Sequence, residues 1–170
     1  MTAFIALLRA VNVGGTGKLP MTELKAMCEA AGFAQVKTYI ASGNVVFVSS
    51  LPEAKVKSAL EQRVADYAGK PVGLLVRSAG EMAAVLAANP FRHTPPNRTV
   101  AIFLDDAPPA DSLKGVVAPD GEEVALGTRE IYVHYPQGQG TSKLKLPAAK
   151  RGTARNINTV AKLAQMAAAL

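Results

Sequence analysis

Three features of the sequence predict an α+β fold made of two ferredoxin-like halves, a duplication packed into one compact body with a C-terminal helix. Short apolar runs and helix-periodic stretches alternate as strand, helix, strand, strand, helix, strand over about the first 75 residues, which is the ferredoxin-like order. A proline-rich segment from Asn89 to Asn97 then interrupts the chain, and strand-like runs resume after it in an echo of the first half. The run Val45-Val46-Phe47-Val48 is apolar on both alternating faces, so its sheet needs cover on both sides. The predicted organisation is a first half at 1–88, a connecting loop at 89–98, and a second half with the C-terminal helix at 99–170.

Each element has a local reason. Ala3 to Arg9 is almost continuously apolar, the pattern of a strand covered on both faces. Pro20 suits the first position of a helix in which Leu24, Met27, Cys28 and Ala31 recur at helical spacing before Gly32. Gln35 to Ala41 and Val45 to Ser49 read as strands joined by Ser42-Gly43-Asn44, a three-residue hairpin connection. Pro52 opens a second helix with Val56, Ala59, Leu60, Val64 and Tyr67 on one face, and Val72 to Arg77 is the next strand. Ser78 to Ala88 reads as a connecting helix. Beyond the proline-rich loop, Thr99 to Leu104 is strand-like, Pro109 to Val117 is expected to form a short helix, and Glu123 to Leu126 pairs with Ile131 to Tyr135 as a second hairpin. Lys143 to Ala149 is an irregular or short helical link. Thr153 is expected to cap a final helix striped by Ile157, Val160, Ala164 and Ala167.

Composition narrows the function. The 49% hydrophobic content excludes a disordered chain, while the lack of Trp and a total of only nine Phe and Tyr leave few rings to stack on bases or sugars. The single Cys28 excludes an intrachain disulfide, and no apolar run approaches the roughly 20 residues of a membrane span. The expectation is a soluble, unprocessed, cytoplasmic protein. The formal charge of +6 is concentrated: from Arg129 onward Arg129, Lys143, Lys145, Lys150, Arg151, Arg155 and Lys162 face Glu130 alone. Such a field favours anionic partners, whether a phosphorylated metabolite or nucleic acid, and is equally a solubilising surface.

Three polar segments carry the candidate chemistry. Asn12-Val13-Gly14-Gly15-Thr16-Gly17-Lys18-Leu19 has the glycines and lysine of a P-loop, but Asn12 stands at the first glycine position and Leu19 where a metal-binding hydroxyl is required. That excludes a true P-loop and leaves Arg9, Asn12, Gly14 and Gly15 as ligand contacts or turn-formers. Ser42 lacks the G-x-S-x-G turn of a hydrolase nucleophile, so Ser42 and Asn44 read first as hairpin residues. Lys150, Arg151 and Arg155 beside a helix start near Thr153 would be unfavourable unless solvent screens them or an anion sits there, which adds Arg155 and Asn156 to the candidate set. Cys28 falls on an apolar helix face, and His93 and His134 are widely separated from it and from each other, so no metal site is expected.

Arg9 to Gly15, Met21 with Leu24, Gly32-Phe33, Thr38 to Phe47, Asn89-Pro90-Phe91 and Thr153-Ala154-Arg155-Asn156 together resemble the bacterial domain-of-unknown-function 1697 family over nearly the whole chain. The resemblance implies a bacterial α+β protein with duplicated ferredoxin-like halves and implies no activity. Two positions depart from it: Ala41 stands where relatives often have Gln, and Ile157 where they often have Trp.

The leading expectation is a protein that binds a small anionic, phosphate-bearing ligand through Arg9, Asn12, Gly14, Gly15, Ser42, Asn44, Arg155 and Asn156. An enzyme acting on such a ligand is one alternative, and a nucleic-acid or protein interaction module led by the basic C-terminal quarter is another. No motif specifies a reaction, a cofactor or an oligomeric state.

Overall fold

The computed structural model describes residues 1–9 and 18–170. Contacts divide the chain into two units, Met1–Ala83 with Lys162–Leu170, and Ala84–Ala161.

The first unit runs β1 (Thr2–Leu8), α1 (Met21–Ala30), β2 (Ala34–Tyr39), β3 (Asn44–Ser49), α2 (Glu53–Ala68) and β4 (Leu74–Ser78). Its strands pair antiparallel in the order β2-β3-β1-β4, the ferredoxin-like arrangement. One face, with Phe4, Ala6, Leu8, Val45, Phe47, Leu74 and Val76, packs with Leu24 and Cys28 of α1 and Val56, Leu60 and Val64 of α2. On the other face Ile5, Leu7, Val46, Leu75 and Arg77 are buried as well, so β1, β3 and β4 are covered on both faces while the edge strand β2 keeps Lys37 exposed.

Pro20 and Pro52 each sit one place earlier than the sequence suggested, at the N-cap, with ψ extended at 141° and 159°. Their carbonyls accept the first helical bonds, from Leu24 N at 3.1 Å and Val56 N at 3.0 Å, and the missing proline N–H leaves no orphan donor there. The helices end where a left-handed residue turns the chain out, at Gly32 (φ 89°) and Gly69 (φ 72°).

Downstream of α3 (Ala79–Ala87) come β5 (Thr99–Phe103), β6 (Glu123–Leu126), β7 (Glu130–His134), β8 (Thr153–Asn156) and α4 (Ile157–Ala168). The unit boundaries fall within α3 and within α4. The order β6-β7-β5-β8 repeats that of the first sheet strand for strand, again antiparallel. The crossovers differ. Where the first unit has α1 and α2, the second packs Leu144, Leu146, Ala148 and Ala149 of an irregular segment onto Val100, Ile102, Leu104, Ile131 and Val133. A single bridge between Val117 and Lys145 ties its two crossovers together. Tyr132, on the opposite sheet face, donates its hydroxyl to the Val85 carbonyl of α3 at 2.7 Å.

Two expectations are corrected. Pro109 to Val117 is not a helix: Ser112 N and Lys114 N close four-residue turns on Pro109 O and Asp111 O, and Gly115 breaks the run at φ 76°. Leu113 and Val117 are exposed, so no apolar stripe rewards a helix there. Thr153 does not cap α4 but begins β8, which pairs with β5; Asn156 is the cap, its Oδ1 accepting from Thr159 N at 2.9 Å.

Around the first strand of each sheet the registers match residue by residue. Leu7 faces Asn44 and Leu75, as Phe103 faces Glu130 and Thr153. Leu8 N donates to Gly43 O at 2.8 Å, as Leu104 N donates to Arg129 O at 2.9 Å. Ile5 faces Arg77, as Ala101 faces Arg155. Both arginines are buried, and each donates Nη1 to the carbonyl of the residue before it at 3.0 Å. Each precedes a helix cap. Ser78 and Glu81 form a reciprocal capping box at α3, and Asn156 caps α4.

A Cβ on Gly152 would lie 2.7 Å from both Ile102 Cγ2 and the Phe103 carbonyl oxygen. Backbone of a paired strand cannot yield as a side-chain tip does, so Gly152→Ala should destabilise by about 1–3 kcal/mol in chemical denaturation. Gly140→Ala, which meets nothing within 4 Å, should be close to neutral in the same assay.

Candidate functional site

At the end of β1 the backbone joins two neighbours in succession: Leu8 N donates to Gly43 O and Arg9 N to Gly73 O, each at 2.8 Å. These bonds place Arg9 between the β2–β3 turn and the residue preceding β4. Its side chain is partly exposed and runs over Gly73, with Cδ 3.5 Å from where a Cβ on that glycine would stand.

The turn itself is one residue longer than expected, Ile40–Gly43, because Asn44 already pairs with Leu7 and Tyr39 as part of β3. Asn44 is fully buried, and its Nδ2 donates to Tyr39 O and to Ser42 Oγ, both at 2.9 Å. A buried amide bonded across the turn fixes its shape, which backbone pairing alone does not do for a four-residue connection. Ser42 stays exposed, and its oxygen accepts from the Asn44 amide, a donor that holds the turn and does not activate a hydroxyl. Ile40 adopts φ 51° in this turn.

The structure therefore brings Arg9, Ser42 and Asn44 together at one end of the first sheet. Asn12, Gly14 and Gly15 lie outside the described residues. Arg155 and Asn156 belong to β8 in the second unit, and both have structural duties. Arg155 Nη1 donates to Thr153 Oγ1 at 2.6 Å as well as to Ala154 O, and burial pulls its guanidinium down to about 10, still cationic at neutral pH. Asn156 holds the start of α4. Lys150 and Arg151 precede β8, so they are not in the first turn of α4, and the helix-dipole argument for an anion there loses its basis.

The duplication supplies a comparison within the chain. Where the first sheet has Arg9, Gly43 and Asn44, the second has Asp105, Arg129 and Glu130. There Arg129 N donates to Glu130 Oε1 at 3.1 Å, and its Nη1 reaches Asp105 O at 3.4 Å. One sheet end is built from glycine, amide and a cation, and its counterpart from groups of mixed charge.

Cys28 and His134 are held by packing and hydrogen bonding. Burial, then the charge of Glu29, pushes the Cys28 thiol up to about 12, so it stays protonated and inert among core residues. His134 Nδ1 lies 3.1 Å from Thr99 Oγ1, with its ring 6.1 Å from that of Phe91. Sequence reasoning missed Arg77, because an arginine near the end of an apolar run reads as a surface residue; only its match with Arg155 in register marks it as a built-in buried pair.

The family model described as "Protein of unknown function (DUF1697)" matches residues 1–132. The chain belongs to the DUF1697 family. This DUF1697 protein is also similar in structure to the conserved bacterial protein SP0830 from Streptococcus pneumoniae, with a TM-score of 0.81 and 26% sequence identity over 98% of each chain. No curated protein matches it. The family places Arg9, Ser42 and Asn44 within the matched region and assigns them no activity.

Asn44→Ala removes the Nδ2 bonds to Tyr39 O and Ser42 Oγ from a fully buried position. It should cost about 1–3 kcal/mol in urea unfolding. Ser42→Ala, at an exposed site, should cost no more than about 1 kcal/mol.

Proposed function

We propose that this protein binds a small anionic, phosphate-bearing ligand at the end of its first sheet. Arg9 supplies the cation and Ser42 and Asn44 hold the adjoining turn; Asn12, Gly14 and Gly15, outside the described residues, complete the proposed ligand set. The observation that carries this reading is the contrast between matched sheet ends. The second sheet achieves the same strand order and register with Asp105, Arg129 and Glu130, so strand pairing does not itself require Arg9, Gly43 and Asn44. Glycine next to a fixed cation is what close approach of a phosphate needs. Arg155 and Asn156 keep their strand and cap roles in this reading. It includes a cytoplasmic location, favoured by the single buried thiol; among the described residues no helix is long and apolar enough to cross a membrane. Catalysis on the bound ligand is the natural extension of this reading.

A second reading has one observation behind it. Lys143 and Lys145 are exposed and alternate with Leu144 and Leu146, which pack in the core, so this crossover turns its cations outward. A nucleic-acid partner would use that face, with affinity falling steeply as salt rises.

Thermal shift against inorganic phosphate, sugar phosphates and nucleotides separates these readings. A ligand at about 100 times its dissociation constant adds about 2.7 kcal/mol. The expected result is stabilisation by at least one phosphate compound, abolished in Arg9→Ala and retained in Arg129→Ala. No stabilisation across the panel, or stabilisation indifferent to Arg9→Ala, would contradict the proposal. Loss only on Lys143→Glu with Lys145→Glu would favour the second reading.

A further inference from the structure

Ile40 carries two costs at once. At φ 51° it lies in the left-handed region, where a β-branched side chain crowds its own backbone and where Gly or Asn would sit with less strain. It is also 51% exposed, so its aliphatic surface gains little from the core. The shorter β6–β7 connection, Gly127-Thr128-Arg129, makes the corresponding hairpin without a left-handed side chain. The turn is held in this shape by Asn44, whose amide bonds to Tyr39 O on one side of Ile40 and Ser42 Oγ on the other. Persistent local strain on a turn fixed from beneath is the pattern of a residue kept for what it touches.

We propose that Ile40 is a specificity-determining contact, its side chain taking the apolar part of a phosphate monoester whose phosphate is held at Arg9. The inference rests on the anion-binding reading above and deepens it by naming the ligand class: an organic phosphate with an apolar or aromatic group beside the ester, in preference to inorganic phosphate. Leu8 N bonded to Gly43 O sets the turn against the end of β1, so Ile40 and Arg9 belong to the same sheet end. Ala41 and Ser42 beside Ile40 are small and exposed, which leaves the isoleucine as the bulky apolar group of that turn.

The test is isothermal titration of phenyl phosphate and inorganic phosphate into the wild type, Ile40→Asn and Ile40→Gly. Both variants accept the left-handed angle, so they should fold at least as stably as the wild type, which a thermal melt checks. The wild type should prefer phenyl phosphate by about tenfold, the scale that burying half an isoleucine side chain supports. Both variants should lose that preference and keep the affinity for inorganic phosphate. Preference retained in both variants would overturn the role of Ile40 while leaving the anion site standing. Failure of the wild type to bind either compound would overturn both.

Discussion

The buried amide of Asn44 is the interaction on which the first sheet's end depends. It begins β3, faces Leu7 across the sheet, and ties Tyr39 to Ser42 from beneath the turn. Removing water from an amide is tolerable only when its donors are met, and here Nδ2 donates to Tyr39 O and Ser42 Oγ, on the two sides of the turn it supports. The left-handed Ile40, the exposed Ser42 and the buried Gly43 carbonyl that accepts from Leu8 all follow from that anchoring. A strand pair without it would still form. The particular surface next to Arg9 would not be held.

Duplication explains why such a surface can exist at all. Two sheets with one strand order and one register show which residues the topology demands and which it leaves open. The arginine of the fourth strand and the helix cap behind it occur in both, as Arg77 with Ser78 and Arg155 with Asn156, which marks them as parts of the shared construction. The end of the first strand differs. Arg9 is matched by Asp105 and Asn44 by Glu130, so this is where the halves have diverged in chemistry while keeping their backbone bonds.

Much of the fold was legible because its strands are short, apolar and punctuated. Val45 to Val48 announces a doubly covered strand by having no polar face, and Gly32 marks a helix end that the backbone confirms with positive φ. The second half was less legible, since its crossovers are held by Leu144 and Leu146 in an irregular path with no periodicity to read. Thr153 misled because Thr serves equally as a cap and as a strand residue, and only pairing with β5 decides between them. Within the candidate site, proximity of Arg9 to Ser42-Gly43-Asn44 depends on β1 lying beside β3, a long-range pairing that local pattern cannot specify. The strain at Ile40 was invisible for a related reason: propensity assigns isoleucine to strands, and the turn overrides it.

The central claim is that the end of the first sheet, and not its counterpart in the second, receives an anion. Amide chemical shifts of the isotope-labelled protein titrated with inorganic phosphate test it most directly. The account predicts shifts centred on Leu8, Arg9 and Ile40 to Asn44, with Leu104, Asp105, Arg129 and Glu130 unmoved. Shifts confined to Lys143, Lys145 and their neighbours, or none at the first sheet's end, would contradict it.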